Sequence, residues 1–398
     1  MNTENDIHGQ YRGTRGELFH LAIVTTLLTV ITLGIYRFWA KTRIRKYIWS
    51  SVLGDGDAFE YTGTGLEKFL GFLVAIVVLA VYLGVIQMVL FFFGLSFVAE
   101  PTTPAEVVMM VSVLYINLLA ILPLIFYAFY RARRYKMART RWRGVRFGME
   151  QGAWGYALRA SGYTILMFVS LGLLAPLANF KLEKYMMDRS WYGDAQFEQH
   201  GKWTALYGAM KHIFIGAIIL VAGAGIGAAL QIEALLAVGV FVGYIWLMVG
   251  GLYYRVHSTR YFSANRTLGE HISFTAEPRT GEVLKLVIVG GLIIGAIILV
   301  ITLIGGLAMA SVMSALIQND NFAMIGLITT VAIVLYLALL ALIGALSLVF
   351  IVQPLISHFV TTYTVHGKDA LAEIGQRAGE VGVDAEGFAD ALDVGGAF

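Results

Sequence analysis

Three observations predict an all-α integral membrane fold built from internally repeated helical hairpins. The first is composition: 58% of the 398 residues are hydrophobic, 14% are charged and the mean hydropathy is +0.73. Soluble domains run at roughly 45–50% apolar and about 25% charged. The second is a set of six continuous apolar runs of helical length, which point to a helical bundle and not to the alternating strands of an outer-membrane barrel. The third is a cassette that recurs five times. An apolar segment ends in a basic or polar stretch carrying an aromatic residue, a glycine follows, and a second aromatic or apolar residue comes next. The copies are Arg45-Lys46-Tyr47 to Phe59, Arg133-Arg134-Tyr135 to Phe147, Glu183-Lys184-Tyr185 to Phe197, Thr259-Arg260-Tyr261 to Phe274, and His358-Phe359 to Leu371. Their glycines are Gly54, Gly144, Gly193, Gly269 and Gly367. A repeated unit that wants water, set between apolar spans, constrains topology more tightly than hydropathy does.

The elements follow in order. The first seventeen residues are polar and lack the features of a cleavable signal. Leu18–Tyr36 is apolar but weakened by His20, Thr25, Thr26, Thr29 and Thr32. Phe69–Phe97 and Val107–Tyr130 form a strong hairpin, turned by Glu100-Pro101-Thr102-Thr103-Pro104. Trp154–Ala178 is a second weak stretch, holding Arg159, Ser161, Gly162 and Pro176. Lys211–Leu230 and Leu235–Tyr254 turn at Gln231-Ile232-Glu233, and Val283–Ile317 and Phe322–Pro354 turn at Gln318-Asn319-Asp320-Asn321. Each strong run meets the ~20 residues needed to span a bilayer. Residues 1–148 and 149–274 read as two repeat halves, each a weak segment plus a hairpin. Residues 275–368 read as a third hairpin, and 369–398 as an acidic, mobile tail holding seven acidic residues against Arg377.

Hydropathy alone gives eight spans, but the repeat and the charges argue for six. The two weak stretches align without a gap at an offset of 138, matching Thr32-Leu33-Gly34 to Ser170-Leu171-Gly172 and Tyr47 to Tyr185. Approaches to apolar segments repeat as well, Gly13-Thr14-x-x-Glu17-x-Phe19 mirroring Gly63-Thr64-x-x-Glu67-x-Phe69. None of the 29 Lys and Arg residues lies in the three far-end turns. Eight simple spans would put Lys181, Lys184, Arg189, Arg255, Arg260, Arg266 and Arg279 outside, against the positive-inside rule. Six spans plus two re-entrant or interfacial segments put every cassette and both termini in the cytoplasm of a bacterial inner membrane. Beyond the cassette glycines, Ala58-Phe59-Glu60-Tyr61 and its counterparts around Phe147, Phe197 and Phe274 read as short cytoplasmic strands. Four or five such strands could pair into a small rim, since a lone strand leaves backbone groups unsatisfied; the alternative is irregular juxtamembrane loops.

The run Thr32-Leu33-Gly34-Ile35-Tyr36-Arg37-Phe38-Trp39-Ala40-Lys41, with Arg43, Tyr47 and Phe59-Glu60-Tyr61-Thr62-Gly63-Thr64-Gly65, resembles the YjgN-like family of bacterial inner-membrane proteins. The second copy departs from it at Leu174, Leu177 and Asn179. The resemblance extends over essentially the whole chain and implies a multi-pass inner-membrane location. It carries no substrate and no catalytic residues, because the family is defined as one of unknown function.

Function is less legible. With no cysteine there is no thiol nucleophile or thiolate site. The eight histidines, His8, His20, His200, His212, His257, His271, His358 and His366, form no helical metal pair. Asp55-Gly56-Asp57 reads as a turn rather than a calcium loop, and Gly63-x-Gly65 lacks the context of a phosphate loop. No enzyme and no cofactor is expected. The leading expectation is transport, channel activity or sensing of a small solute. Polar candidates at membrane depth are His20, Thr25, Thr29, Thr32, Gln87, Asn117, Arg159 and Ser161, with the alternative that each threonine bonds its own helix. Arg159 is expected near the cytoplasmic interface, snorkelling or pairing with Glu150 or a lipid phosphate. The alternative class is a non-catalytic scaffold that binds anionic lipid through Lys41, Arg43, Arg45, Arg131, Arg133, Arg134, Arg139 and Arg141. Glycine-rich helices such as that around Gly223, Gly225 and Gly227 point to close packing. The expected partners are membrane lipids and a small solute, with a homo-oligomer left open; the basic residues need no nucleic acid to account for them.

Overall fold

The computed structural model describes residues 5–95, 103–318 and 322–378. The turn at Glu100–Thr102, the turn at Asn319–Asn321 and the tail beyond Ala378 lie outside the described residues. Among the described residues, six helices are long and apolar enough to cross a membrane. They are α3 (Gly65–Phe92), α4 (Pro104–Ala138), α7 (Lys211–Ala229, entered through a 3-10 turn at Trp203–Met210), α8 (Glu233–Ala264), α9 (Thr280–Gln318) and α10 (Phe322–Ser347). A π turn at Leu348–Val352 carries α10 into α11 (Gln353–Thr361). These are the six strong runs of the sequence, and their polar starts are cap positions. The hydroxyls of Thr64 and Thr103 accept the N–H groups of Glu67 and Glu106 at 3.3 Å, and Glu106 closes a capping box back onto the Thr103 N–H. Helix α4 runs eight residues past the predicted Tyr130, so the basic run Arg131–Lys136 is helical.

Neither weak segment is one helix. Leu18–Tyr36 covers most of α1 (Arg15–Ile31) and a turn, after which α2 (Arg37–Ser51) runs back. Trp154–Ala178 covers α5 (Ala153–Val169), a turn and the start of α6 (Ala175–Met187). Each helix has 17 residues or fewer, at 1.5 Å per residue about 25 Å, short of the ~30 Å hydrocarbon thickness. The turns are alike. Leu33 (φ 50°) and Gly34 (φ 91°) match Leu171 (φ 51°) and Gly172 (φ 84°). The Thr32 hydroxyl accepts the Tyr36 N–H at 2.9 Å, and the Ser170 hydroxyl accepts the Leu174 N–H at 3.1 Å. A leucine in the left-handed region is strained, yet Leu33 and Leu171 are 91% and 92% exposed, at apolar tips shared with Ile31, Ile35, Phe168 and Val169.

Among the described residues ten short strands join the helices, more than the four or five read from the sequence. They are β1 (Asp6–Tyr11), β2 (Val52–Gly54), β3 (Asp57–Tyr61), β4 (Thr140–Trp142), β5 (Val145–Met149), β6 (Ser190–Tyr192), β7 (Ala195–Gln199), β8 (Arg266–Leu268), β9 (Ile272–Ala276) and β10 (Tyr363–His366). The missed partners of the cassette strands are three residues long, too short to display alternation. Asp55-Gly56 turns β2 into β3 with φ of 54° and 85°, and Arg143-Gly144 turns β4 into β5 with 50° and 79°, the left-handed pair of a tight hairpin. The first turn glycine is therefore Gly56; Gly54 is paired with Gly9 inside β2.

The chain forms two compact units that interleave in sequence. One draws on the described residues within Met1–Phe59, Ala205–Asn265 and Ser273–Lys368, the other on those within Glu60–Thr204, Arg266–Ile272 and Asp369–Phe398. In the first, β2, β1, β10 and β9 pair antiparallel in that order. Here α7 and α8 pack at glycine: a Cβ on Gly223 would lie 2.6 Å from Gly239, and one on Gly243 2.6 Å from Leu220. In the second unit, β4 to β8 pair antiparallel in sequence order.

The repeated tyrosine clasps hairpins at their base. Tyr47, near the end of α2, accepts the Thr14 N–H at 2.8 Å and donates to Glu17 at 2.9 Å, at the start of α1. Tyr135 on α4 donates to Glu67 at the start of α3 at 2.6 Å. Tyr185 on α6 donates to the Gly152 carbonyl ahead of α5 at 3.0 Å. Each of these hairpins therefore leaves and returns at one end, where the strands lie.

Candidate functional site: a polar cavity on the β1–β10–β9 face

Side chains alternate across a strand, and in the first unit that alternation separates two surfaces. Ile7, Phe274 and Ala276 are buried. Asp6 and His8, which flank Ile7, Thr275 and Glu277, which flank Ala276, and Thr364 and His366, which flank the half-buried Val365, line a cavity of about 660 Å³. The register brings them together: Asp6 stands opposite His366, His8 opposite Thr364, and Thr364 opposite Thr275. Walls come from the end of α11, with His358, Thr361 and Thr362, and from the approach to α9, with Arg279 and Glu282. Every one of these lining residues is polar or charged, and the volume falls within the ~300–1,000 Å³ of small-ligand sites.

Hydrogen bonds fix the cavity's chemistry. His366 holds Asp6 through Nδ1 and Thr275 through Nε2, both at 2.8 Å, so one imidazole ties three strands. The Arg279 backbone N–H donates to His358 Nε2 at 2.9 Å. That nitrogen is therefore an acceptor, and the ring proton sits on Nδ1. His8 Nδ1 meets the Thr364 hydroxyl at 3.1 Å. Glu282 is 3.8 Å from Lys285. Guanidinium, imidazole, carboxylate and hydroxyl groups thus face one volume, suited to recognising a small hydrophilic molecule. Among the described residues, no group of three His, Asp or Glu is placed to hold a metal ion.

The residues singled out from sequence lie elsewhere. Thr25, Thr29 and Thr32 donate to the carbonyls of Leu21, Thr25 and Leu28 at 2.7–2.8 Å, and Ser161 to that of Ala157 at 2.8 Å. Their hydroxyls satisfy their own helices. His20 is exposed on α1. Gln87 on α3 donates to Asn117 on α4 at 2.8 Å. Arg159 does not reach Glu150, whose carboxylate instead accepts the Trp191 indole N–H at 3.0 Å. It turns to the Gly155 carbonyl at 2.9 Å and lies over the Tyr185 ring at 4.9 Å, while the residue as a whole stays exposed.

Most of the basic candidates are also engaged internally. Arg45 and Arg134 are buried, Arg134 donating to the Met149 carbonyl at 2.8 Å. Arg133 pairs with Glu183 at 3.4 Å and Arg139 with Glu67 at 3.0 Å. Arg131 donates to Tyr127 at 2.8 Å. Lys41 is half-buried on α2, Arg141 half-buried in β4, and Arg43 exposed beside Tyr36 at 3.0 Å. Arg266 adds a second cation to Glu183 at 3.0 Å. Burial alone would raise the Glu183 pKa, but the Arg133 and Arg266 guanidiniums hold it below the ordinary carboxylate range.

Six apolar helices of spanning length define a helical multi-pass membrane protein. Its sequence matches, over residues 7–391, the profile of a family of bacterial proteins of unknown function, DUF898, and the chain belongs to that family. It is 30% identical over 172 residues to the inner membrane protein YjgN of Escherichia coli O157:H7, covering 41% of this chain and 38% of the relative. It is 29% identical over 162 residues to the inner membrane protein YjgN of Escherichia coli K12, covering 41% of this chain and 36% of the relative. With that of Salmonella typhimurium it shares 35% over 77 residues, covering 19% and 20%. These alignments span well under half of the relatives' lengths. No solved structure matches. The family and the six helices together make this a bacterial inner-membrane protein.

Proposed function

We propose that this protein binds a small, hydrophilic, charged solute on the cytoplasmic side of the inner membrane, as the recognition step of transport or sensing. The observation that carries this reading is the all-polar cavity on the β1–β10–β9 face. Arg279 and the His8 and His358 imidazoles offer donors, and Glu277 and Glu282 offer acceptors, so a solute with groups of both kinds would be held. The α1 hydroxyls, spent on their own helix, give a permeation path along that segment no support.

The topology proposed with it has six spans, α1–α2 and α5–α6 as re-entrant hairpins, and the strands and both termini cytoplasmic. Short helices, clasped bases and apolar tips support it: the tips would bury Leu33 and Leu171 among acyl chains. The matching turns and clasps of α1–α2 and α5–α6 support an internal repeat. A lipid-linked scaffold is the second reading, favoured by those tips and by the exposed Arg43.

Thermal unfolding of the full chain in lipid nanodiscs, against a panel of amino acids, dicarboxylates and polyamines, tests the solute reading. At least one class should stabilise the protein, and Arg279→Gln and Glu277→Gln should each weaken that shift. No stabilisation by any class, or a shift that both variants retain, counts against the reading.

A further inference from the structure

The turn joining β6 to β7 is where chain from the far C-terminal side comes to rest. Gly193 takes a φ of 55°, and beside it Asp194 makes a reciprocal pair of hydrogen bonds with Gly375. The Asp194 N–H donates to the Gly375 carbonyl, and the Gly375 N–H donates to Asp194 Oδ1, both at 3.0 Å. The Arg146 N–H of β5 donates to Gln376 Oε1 at 2.8 Å. The Arg377 guanidinium lies 4.3 Å from the centroid of the Trp191 ring. That indole is held by its N–H on Glu150 at 3.0 Å, so its face is presented before the arginine arrives. The fit at glycine is tight: a Cβ on Gly193 would sit 2.3 Å from the Gly375 carbonyl oxygen.

These are the parts of a peptide-recognition site: bonds to the main chain of the docked segment, a glycine gate that admits the backbone closely, and an aromatic shelf for a cation. β5, β6 and β7 pair with one another through their own backbone bonds, to which the contacts with 375–377 are additional. We propose that the β6–β7 turn, with Trp191 and the Arg146 backbone of β5, is a docking site for a segment bearing a glycine and, two residues on, an arginine. Ile374–Arg377 fills it in cis and is exchangeable. The partner class that fits is therefore a second segment of the same pattern, supplied in trans.

Trypsin reads occupancy directly, because the bond after Arg377 is cut only when that side chain leaves the indole. In the full chain in nanodiscs, Gly193→Val and Trp191→Leu should each speed cleavage after Arg377 by roughly tenfold, the change ~1.4 kcal/mol of lost docking produces. Trp191→Phe, which keeps a ring under the guanidinium, should stay close to wild type and separates docking from misfolding. A synthetic peptide of residues 371–378, in excess, should accelerate cleavage of the wild-type chain. The same peptide carrying Gly375→Val and Arg377→Ala should not. Equal cleavage rates in wild type and Gly193→Val would overturn the docking site. Acceleration by Gly193→Val without any effect of the peptide would make the contact a fixed part of the fold and overturn its exchangeability.

Discussion

Replacing Glu183 by glutamine should cost this protein about 3 kcal/mol and remove part of its pH dependence. Glu183 on α6 accepts from Arg133 on α4 at 3.4 Å and from Arg266 of β8 at 3.0 Å. The three side chains are 20%, 23% and 16% exposed, so solvent screens them far less than a surface pair. Removing one member of a buried ion pair costs ~3–5 kcal/mol, chiefly because the opposite charge is left uncompensated. Here two guanidiniums would face each other across a neutral amide, while residual access to water places the loss at the lower end. The folded pKa of Glu183 is lowered, so its contribution is complete above the unfolded value of ~4.3 and fades as pH falls through the folded one. Unfolding free energies of wild type and Glu183→Gln, measured in nanodiscs from pH 7 to pH 3, should therefore differ by a constant amount down to about pH 5 and converge below it. A loss under about 1 kcal/mol, or a difference that does not change with pH, would refute the reasoning.

Other expectations follow from the same geometry. The chain has no native cysteine, so single cysteines at Gln196, Asn265 and Gly367 should be shielded from an external impermeant reagent while one at Thr103 reacts; external labelling at Gln196 would restore eight spans. Gly243→Val sets a side chain against Leu220 at 2.6 Å and should part α7 from α8, read as reduced thermal stability, whereas Gly225→Ala, whose Cβ meets nothing within 4 Å, should be neutral. Replacing Gln87 and Asn117 together by leucine should change stability by less than about 2 kcal/mol, but Asn117→Leu alone should cost more than the pair, since it strands the Gln87 amide, whereas Asn117 keeps its bond to the Val113 carbonyl at 2.9 Å when Gln87 is replaced. Leu33→Asp with Leu171→Asp should leave soluble-exposed strands intact yet release quenching by lipids labelled along their acyl chains; unchanged quenching of a nearby probe would count against buried tips.

What the sequence made legible was whatever repeats at short range. The six runs were visible because twenty consecutive apolar residues are rare outside a membrane span, and the weakness of Leu18–Tyr36 and Trp154–Ala178 marked both re-turning segments. The match of Thr32-Leu33-Gly34 to Ser170-Leu171-Gly172 turned out to be a turn geometry: a hydroxyl that caps the next helix and a left-handed Leu-Gly pair. The repeated tyrosine was equally visible, but its partner was not, because Tyr135 reaches Glu67 across 68 positions. The cavity was hidden more deeply. Asp6 and His366 are 360 residues apart, and a four-residue strand such as Tyr363–His366 shows too little alternation to announce which face it turns to solvent.

The basic residues teach a different limit. Counting Lys and Arg locates the end of a hairpin that carries charge, because a guanidinium inside a bilayer and one in a far-side turn are both unfavourable. It says nothing of what each guanidinium touches at that end. Arg45 and Arg134 are buried, Arg133 and Arg139 close on carboxylates, and Arg43 stays exposed, yet all five satisfy the same count. An arginine that meets phosphate and one that braces a helix against a strand occupy the same few ångströms beside the headgroups. Only the carboxylates distinguish them. Glu67, at the start of α3, and Glu183, between Lys181 and Lys184 on α6, are each within 3.4 Å of an arginine, so an acid that faces a basic helix marks an internal brace. Within the run from Arg131 to Arg146, Arg133 and Arg139 are such braces, each closing on a carboxylate of another helix.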